Sequence, residues 1–221
     1  MNVALPDEGG APVDRDGDSR PIGVFDSGVG GLSVVRHLQQ RLPQENLLYF
    51  ADQAHIPYGG RTVDEITAFS TAITRFLIDR QAKAIVVACN TATAAAIDAL
   101  RVGFPDMPFV GMEPALKPAA AQTQTGKIGV LATPGTFASR RYAMLVDRFA
   151  KQVEVFEDPC VGLVSRIEAG RLADGETARI LDQGCHADAI GGGRHAGSGM
   201  YPLSVCLTVA KITGGYRGCH H

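Results

Sequence analysis

"AIVVACNTATAAAIDAL", residues 84–100, changes character at its middle. Ala84–Ala88 is an unbroken apolar run with two valines and an isoleucine, the signature of a strand buried on both faces. From Thr91 onward an alanine-rich segment favours helix. Cys89 stands at the junction. A buried strand feeding a helix is the unit of a parallel α/β sheet, and the alternation continues on both sides of this stretch. Upstream, "IGVF" (22–25) reads as strand, 31–42 as helix with Leu32, Val35, Leu38 and Leu42 at helical spacing, and "NLLYFA" (46–51) as strand. Thr62 and Glu65 form a capping box for a helix whose inner face is Ile66, Phe69, Ile73, Phe76 and Leu77. Downstream, "KIGVLA" (127–132) and "QVEVF" (152–156) read as strands, with helices over 139–150, 161–169 and 175–186.

The chain also repeats itself. "IGVFDSGVGGLS" from Ile22 and "IGVLATPGTFAS" from Ile128 share Ile, Gly, Val and the final Ser at an offset of 106, with Ser27 opposite Thr133. "AKAIVVACNTAT" from Ala82 and "ADAIGGGRHAGS" from Ala187 align at an offset of 105. Near-equal offsets imply two related halves. The expected architecture is therefore α/β: two similar parallel-sheet halves facing a central cleft. The expected organisation is a disordered leader over 1–20, a first half over 21–113, a second over 114–190 and an atypical tail over 191–221.

Composition narrows the function classes. Of the 221 residues, 45% are hydrophobic and 20% charged, and the net charge of -2 offers no basic excess for nucleic acid. No apolar run reaches membrane-spanning length, and the N-terminus lacks a signal-peptide pattern. Five cysteines without Cys-x-x-Cys spacing argue against a disulfide framework or a metal site and for a reducing, cytoplasmic setting.

Ligands of parallel α/β sheets bind beyond the carboxyl ends of the strands. Three stretches fall there. "DSGVGG" (26–31) offers glycines and the free amides of a helix start, although it is neither a G-x-G-x-x-G fingerprint nor a Walker loop. "PYGG" (57–60) is either a simple turn or a way to bring a tyrosine hydroxyl and backbone amides into the cleft. Cys89 is either a small buried hydrophobe or a reactive thiol. With an ordinary thiol pKa of about 8.5, ionising it at pH 7 costs about 2 kcal/mol, and a helix start returns ~0.3–2 kcal/mol. The position therefore favours a reactive Cys89, with Asn90 and Thr91 beside it as polar ligands. Cys160, Cys185, Cys206 and Cys219 lack such a setting, and His37 and His55 read as supporting residues rather than bases.

"PIGVFDSGVGGLSV" (21–34), "YFADQAHIPYGGRT" (49–62), "VVACNTATA" (86–94) and "CVGLVSRIEAG" (160–170) together resemble successive blocks of bacterial glutamate racemases, in the cofactor-independent aspartate/glutamate racemase superfamily. The likeness runs from about Pro21 to Ile190. It implies interconversion of L- and D-glutamate for peptidoglycan synthesis by two-base proton transfer, with no cofactor, glutamate as the small-molecule partner, and a homodimer allowed. It also implies roles: Cys89 as the first catalytic thiol, Asp26 as the group that positions it or accepts its proton, and Asp26, Ser27, Tyr58, Gly59, Asn90 and Thr91 as substrate-binding residues.

The resemblance stops at the tail. Its family carries a second catalytic cysteine in a Gly-Cys-Thr-His-Tyr-Pro block, whereas the repeat places Arg194 opposite Cys89 and His195 opposite Asn90. The three glycines 191–193 are poor strand formers. The expectation is a truncated or frame-shifted second half and C-terminal completion, and impaired activity. The alternatives are a non-catalytic glutamate-binding or interaction protein derived from the racemase fold, and a thiol hydrolase, which lacks a histidine placed near Cys89.

Overall fold

Burial patterning dictates the elements. In the computed structural model, residues 18–171, 174–184 and 205–207 are described. Apolar runs form the strands β1 (Ile22–Asp26), β2 (Leu47–Ala51) and β3 (Ala84–Val87), joined by helices α1 (Leu32–Arg41) and α2 (Val63–Asp79). Helix α3 (Asn90–Gly103) leads to the short strand β4 (Phe109–Gly111). The second part runs α4 (Leu116–Gln122), β5 (Lys127–Leu131), α5 (Pro134–Phe137), α6 (Arg140–Phe149), β6 (Glu154–Asp158), α7 (Leu163–Glu168), α8 (Gly175–Gly184) and β7 (Val205–Leu207). Two parallel sheets result, in the orders β2-β1-β3-β4 and β6-β5-β7.

Each sheet has its own core. Phe25, Ile85, Val87, Ile66, Ile73, Leu77, Ile97 and Leu100 fill the first, and Ile128, Val130, Leu116 and Tyr142 belong to the second. Thr62 caps α2 through the full capping box with Glu65. Leu77 is fully buried and so close to β1 that a Cβ on Gly23 would lie 3.0 Å from its Cδ1. Leu77→Ala should therefore destabilise the fold by ~2–5 kcal/mol, read as a lower urea midpoint with an unchanged m value.

Several expectations are adjusted. The strand expected at 152–156 begins two residues later, because the Val153 amide is still bonded to Ala150 and pairing starts where Glu154 N–H meets Gly126 O at 2.8 Å. Strand β4 and helices α4 and α5 were not foreseen from periodicity, being only 3, 7 and 4 residues long. Pro118 within α4 reads as a breaker, yet it sits in the first turn, where its missing N–H costs nothing. The last three residues of the expected leader are held in place. Asn46 Nδ2 donates to Ser19 O, Lys83 Nζ to Asp18 O, and Arg20 pairs with Asp18. Of the expected tail, Val205–Leu207 pairs parallel to β5. Arg194 and His195 lie outside the described residues, as do Cys185 and Cys219.

The connections between the halves concentrate on α3 and the loops at the strand ends. Arg141 of α6 reaches Asp98 of α3 at 2.8 Å and Glu113 at 2.9 Å. Thr91 Oγ1 and Thr133 Oγ1 lie 2.9 Å apart, and the Val29 amide donates to the Glu168 carboxylate at 3.2 Å.

Candidate active site

Strand order decides where the chemistry gathers. The chain passes from β1 through α1 to β2 on one side, then crosses by α2 to β3 on the other side of β1. The gap beyond the carboxyl ends of β1 and β3 is thus a topological switch point, the place where open α/β sheets leave a crevice. The register pairs Phe25 with Val87, and Ala88 N–H continues the ladder to Phe25 O at 2.7 Å. Asp26 and Ser27 are thereby brought level with Cys89.

Cys89 is the N-cap of α3. Its Sγ accepts the Ala92 N–H at 3.4 Å, and Ser27 Oγ lies 3.5 Å from it. Asp26 is buried, and its carboxylate accepts the Gly31 N–H at 2.8 Å, which folds the glycine loop back around it. A Cβ on Gly31 would lie 2.7 Å from the Asp26 Cβ, so the loop's glycine is required by close approach.

The expectation that the helix start leaves Cys89 more acidic is corrected. The thiol is 7% exposed, and its pKa is pushed up to about 11, first by burial and second by the neighbouring Asp26 carboxylate. Hydrogen bonds from Ser27 and Ala92 work in the opposite direction but do not prevail. Both causes favour the protonated thiol over the thiolate.

Tyr58 is also corrected. Its hydroxyl does not enter the cleft: it donates to Asp52 Oδ2 at 2.6 Å, and the residue is 2% exposed. Burial foremost, then Asp52, holds the phenol well above its ordinary pKa. Gly59 packs on the second half, where a Cβ would come 3.1 Å from Thr133 Cγ2. Thr91 is buried and bonded to Thr133. Asn90 opens α3 but borders a small pocket with Thr136, Ser139 and Arg141. His37 Nδ1 donates to Ser33 O on the exposed face of α1, and His55 Nδ1 donates to Asp52.

Three residues escaped sequence reasoning. Thr133 had a signal, because the repeat sets it opposite Ser27, and the two hydroxyls flank Cys89 and Thr91 from the two halves. Glu168 lay in a quoted block without a role. It bonds the Val29 amide, its pKa is raised by burial first, and a Cβ on Gly28 would run into its carboxylate. Asp52 likewise lay in a quoted block, at the end of a strand, without a role. Among the described residues, no group of three or more His, Cys, Asp or Glu side chains is arranged to hold a metal ion, and no helix is long and apolar enough to cross a membrane.

Residues 22–190 match the family model described as Asp/Glu/Hydantoin racemase. The chain belongs to this family. Within it, glutamate racemase of Pseudomonas paraeruginosa is 54% identical over 182 residues, covering 79% of this chain and 69% of that one. Among solved racemases, the Escherichia coli glutamate racemase, in complex with L-glutamate and its activator UDP-MurNAc-Ala, superposes with a TM-score of 0.67 at 36% identity, over 75% of this chain and 62% of that one. The Francisella tularensis glutamate racemase in complex with D-glutamate gives 0.64 at 36% identity, over 75% and 62%. The chain thus spans between about three fifths and seven tenths of these relatives' lengths. The racemase family match ends at Ile190.

Proposed function

We propose that the chain acts on glutamate in the cleft between its sheets, with Cys89 as the base that takes the α-proton from one face. The observation carrying this reading is the meeting of Cys89 with Asp26 and Ser27 at the switch point, flanked by Thr133 and Glu168 from the other half. The family and the glutamate complexes of its relatives support glutamate as the substrate. A thiolate at Cys89 takes the α-hydrogen as a proton, and the C–H electron pair remains on the substrate, delocalised into its α-carboxylate. Asp26 positions the thiol or takes its proton beforehand, and the α-ammonium of glutamate brings in a positive charge that favours the thiolate. Ser27 and Thr91 offer hydroxyls to the developing charge, and the Tyr58–Gly59 turn offers backbone amides. The burial of Cys89, Asp26 and Thr91 strengthens each of these interactions.

Racemisation needs a second acid on the opposite face. The family's second cysteine block is missing from residues 191–221, so exchange at one face should outrun inversion. D-Glutamate for peptidoglycan is the product class this reading assigns to the ancestral reaction. The test is incubation with each enantiomer in deuterium oxide, following the Cα–H signal by NMR and inversion by circular dichroism. The expected result is loss of Cα–H from D-glutamate at least about tenfold faster than inversion. Inversion in both directions as fast as exchange would overturn the impaired account. Binding without exchange would favour the non-catalytic glutamate-binding protein.

A further inference from the structure

We propose that Asp52 is a positioning residue of the cleft: its buried carboxylate fixes the Tyr58–Gly59 turn against Thr133 and so controls how far the cleft stands open over Cys89. Asp52 follows β2 directly and is 6% exposed. A carboxylate that deep is costly unless its oxygens are satisfied. Here they accept the Tyr58 hydroxyl at 2.6 Å and His55 Nδ1–H at 2.8 and 2.9 Å. The backbone is tied as well, since Asp52 N–H donates to Asp26 O at 2.9 Å. The residue is therefore fastened to the end of β1, which carries Asp26 and leads into Ser27.

What it holds is the turn. The Tyr58 ring is buried beside Phe69, and the His55 ring stacks on Phe69 with centroids 3.9 Å apart. With its hydroxyl anchored at Asp52, Tyr58 fixes the backbone of Gly59, which meets the Thr133 side chain closely enough that a Cβ would lie 3.1 Å away. Thr133 in turn bonds Thr91, two residues from Cys89. One continuous path of contacts thus runs from a buried carboxylate of the first half, through the turn, to the second half and back to the helix bearing the thiol. Asp52 has no described contact with Cys89 itself, so it would act through Tyr58.

The test uses the full chain with Asp52→Asn, Tyr58→Phe and the double variant. Each is treated with iodoacetamide at pH 8, and the labelling of Cys89 is followed by peptide mapping, with Cys160 as internal reference because it too is buried. Both single variants should speed Cys89 labelling about tenfold relative to Cys160, and the double variant should add little, because the two residues act through one bond. Tyr58→Phe removes only a hydroxyl, which keeps the test decisive should Asp52→Asn fold poorly. Equal acceleration of Cys89 and Cys160 would reveal general loosening and overturn the proposal, as would unchanged labelling of both. The racemase reading enters only a second arm, in which the variants should raise the KM for α-proton exchange of D-glutamate about tenfold with kcat little changed. If the unaltered chain exchanges no glutamate, that reading falls while the labelling arm still decides the role of Asp52.

Discussion

Cys89→Ser should lower α-proton exchange of D-glutamate by at least about a thousandfold while leaving the far-ultraviolet circular dichroism unchanged. Oxygen replaces sulfur at the N-cap of α3, where serine is itself a preferred capping residue, so the helix keeps its start. The chemistry does not survive the exchange. A serine hydroxyl is a far weaker acid than a thiol and cannot supply an anion at neutral pH without a base beside it. The candidate base, Asp26, already accepts the Gly31 amide and is buried at the end of β1. Exchange by Cys89→Ser within tenfold of the unaltered chain would remove the thiol from the mechanism.

The second large effect is in pH. In the resting chain, alkylation of Cys89 should rise about tenfold per pH unit from pH 7 and keep rising beyond pH 9, where an ordinary thiol levels off. The sign follows from the causes: burial and the Asp26 carboxylate both penalise the thiolate and push the pKa up to about 11, so the reactive form gains with every unit below that value. Asp26→Asn removes the second cause and should shift the profile to lower pH. A plateau at or below pH 8.5 in the unaltered chain would show that the helix start prevails over burial. The same shift links to stability. Because the unfolded thiol ionises at lower pH than the folded one, this group's contribution is fully present below the unfolded pKa and is lost as pH rises through 9 to 11.

Much of the architecture was legible because periodicity and the repeat report burial directly. The run 84–88 and the capping box at Thr62 and Glu65 each describe local chain, the repeat sets the segment from Ile128 opposite that from Ile22, and β1, α2, β3 and β5 stand where they point. Short elements such as β4 and α5 carry too few residues for any period to show. The meeting of Asp26, Ser27 and Cys89 could also be anticipated, since strand ends converge wherever parallel strands share an edge. The protonation of Cys89 could not: the helix start is a feature of sequence, whereas the depth of burial and the nearness of Asp26 belong to the assembled sheet. The direction of Tyr58 was hidden for a related reason: the acceptor that claims its hydroxyl stands six residues earlier on the same connection from β2 to α2, and only the folded turn brings the two together.

Helix α3 has a double duty. Its first residues follow the thiol and touch Thr133, and further along it offers Asp98 to Arg141 of the second half. The thiol is therefore carried by the same rod on which the other half rests. A shift of that rod by an ångström changes the gap between the sulfur and anything held by the second half, and proton transfer is steeply sensitive to such distances. Asp98 is largely exposed, and a single exposed ion pair is worth little to folding. Its loss would be nearly silent in a melting curve, so the outer surface of α3 sets where the second half stands relative to the thiol more than how firmly the chain folds.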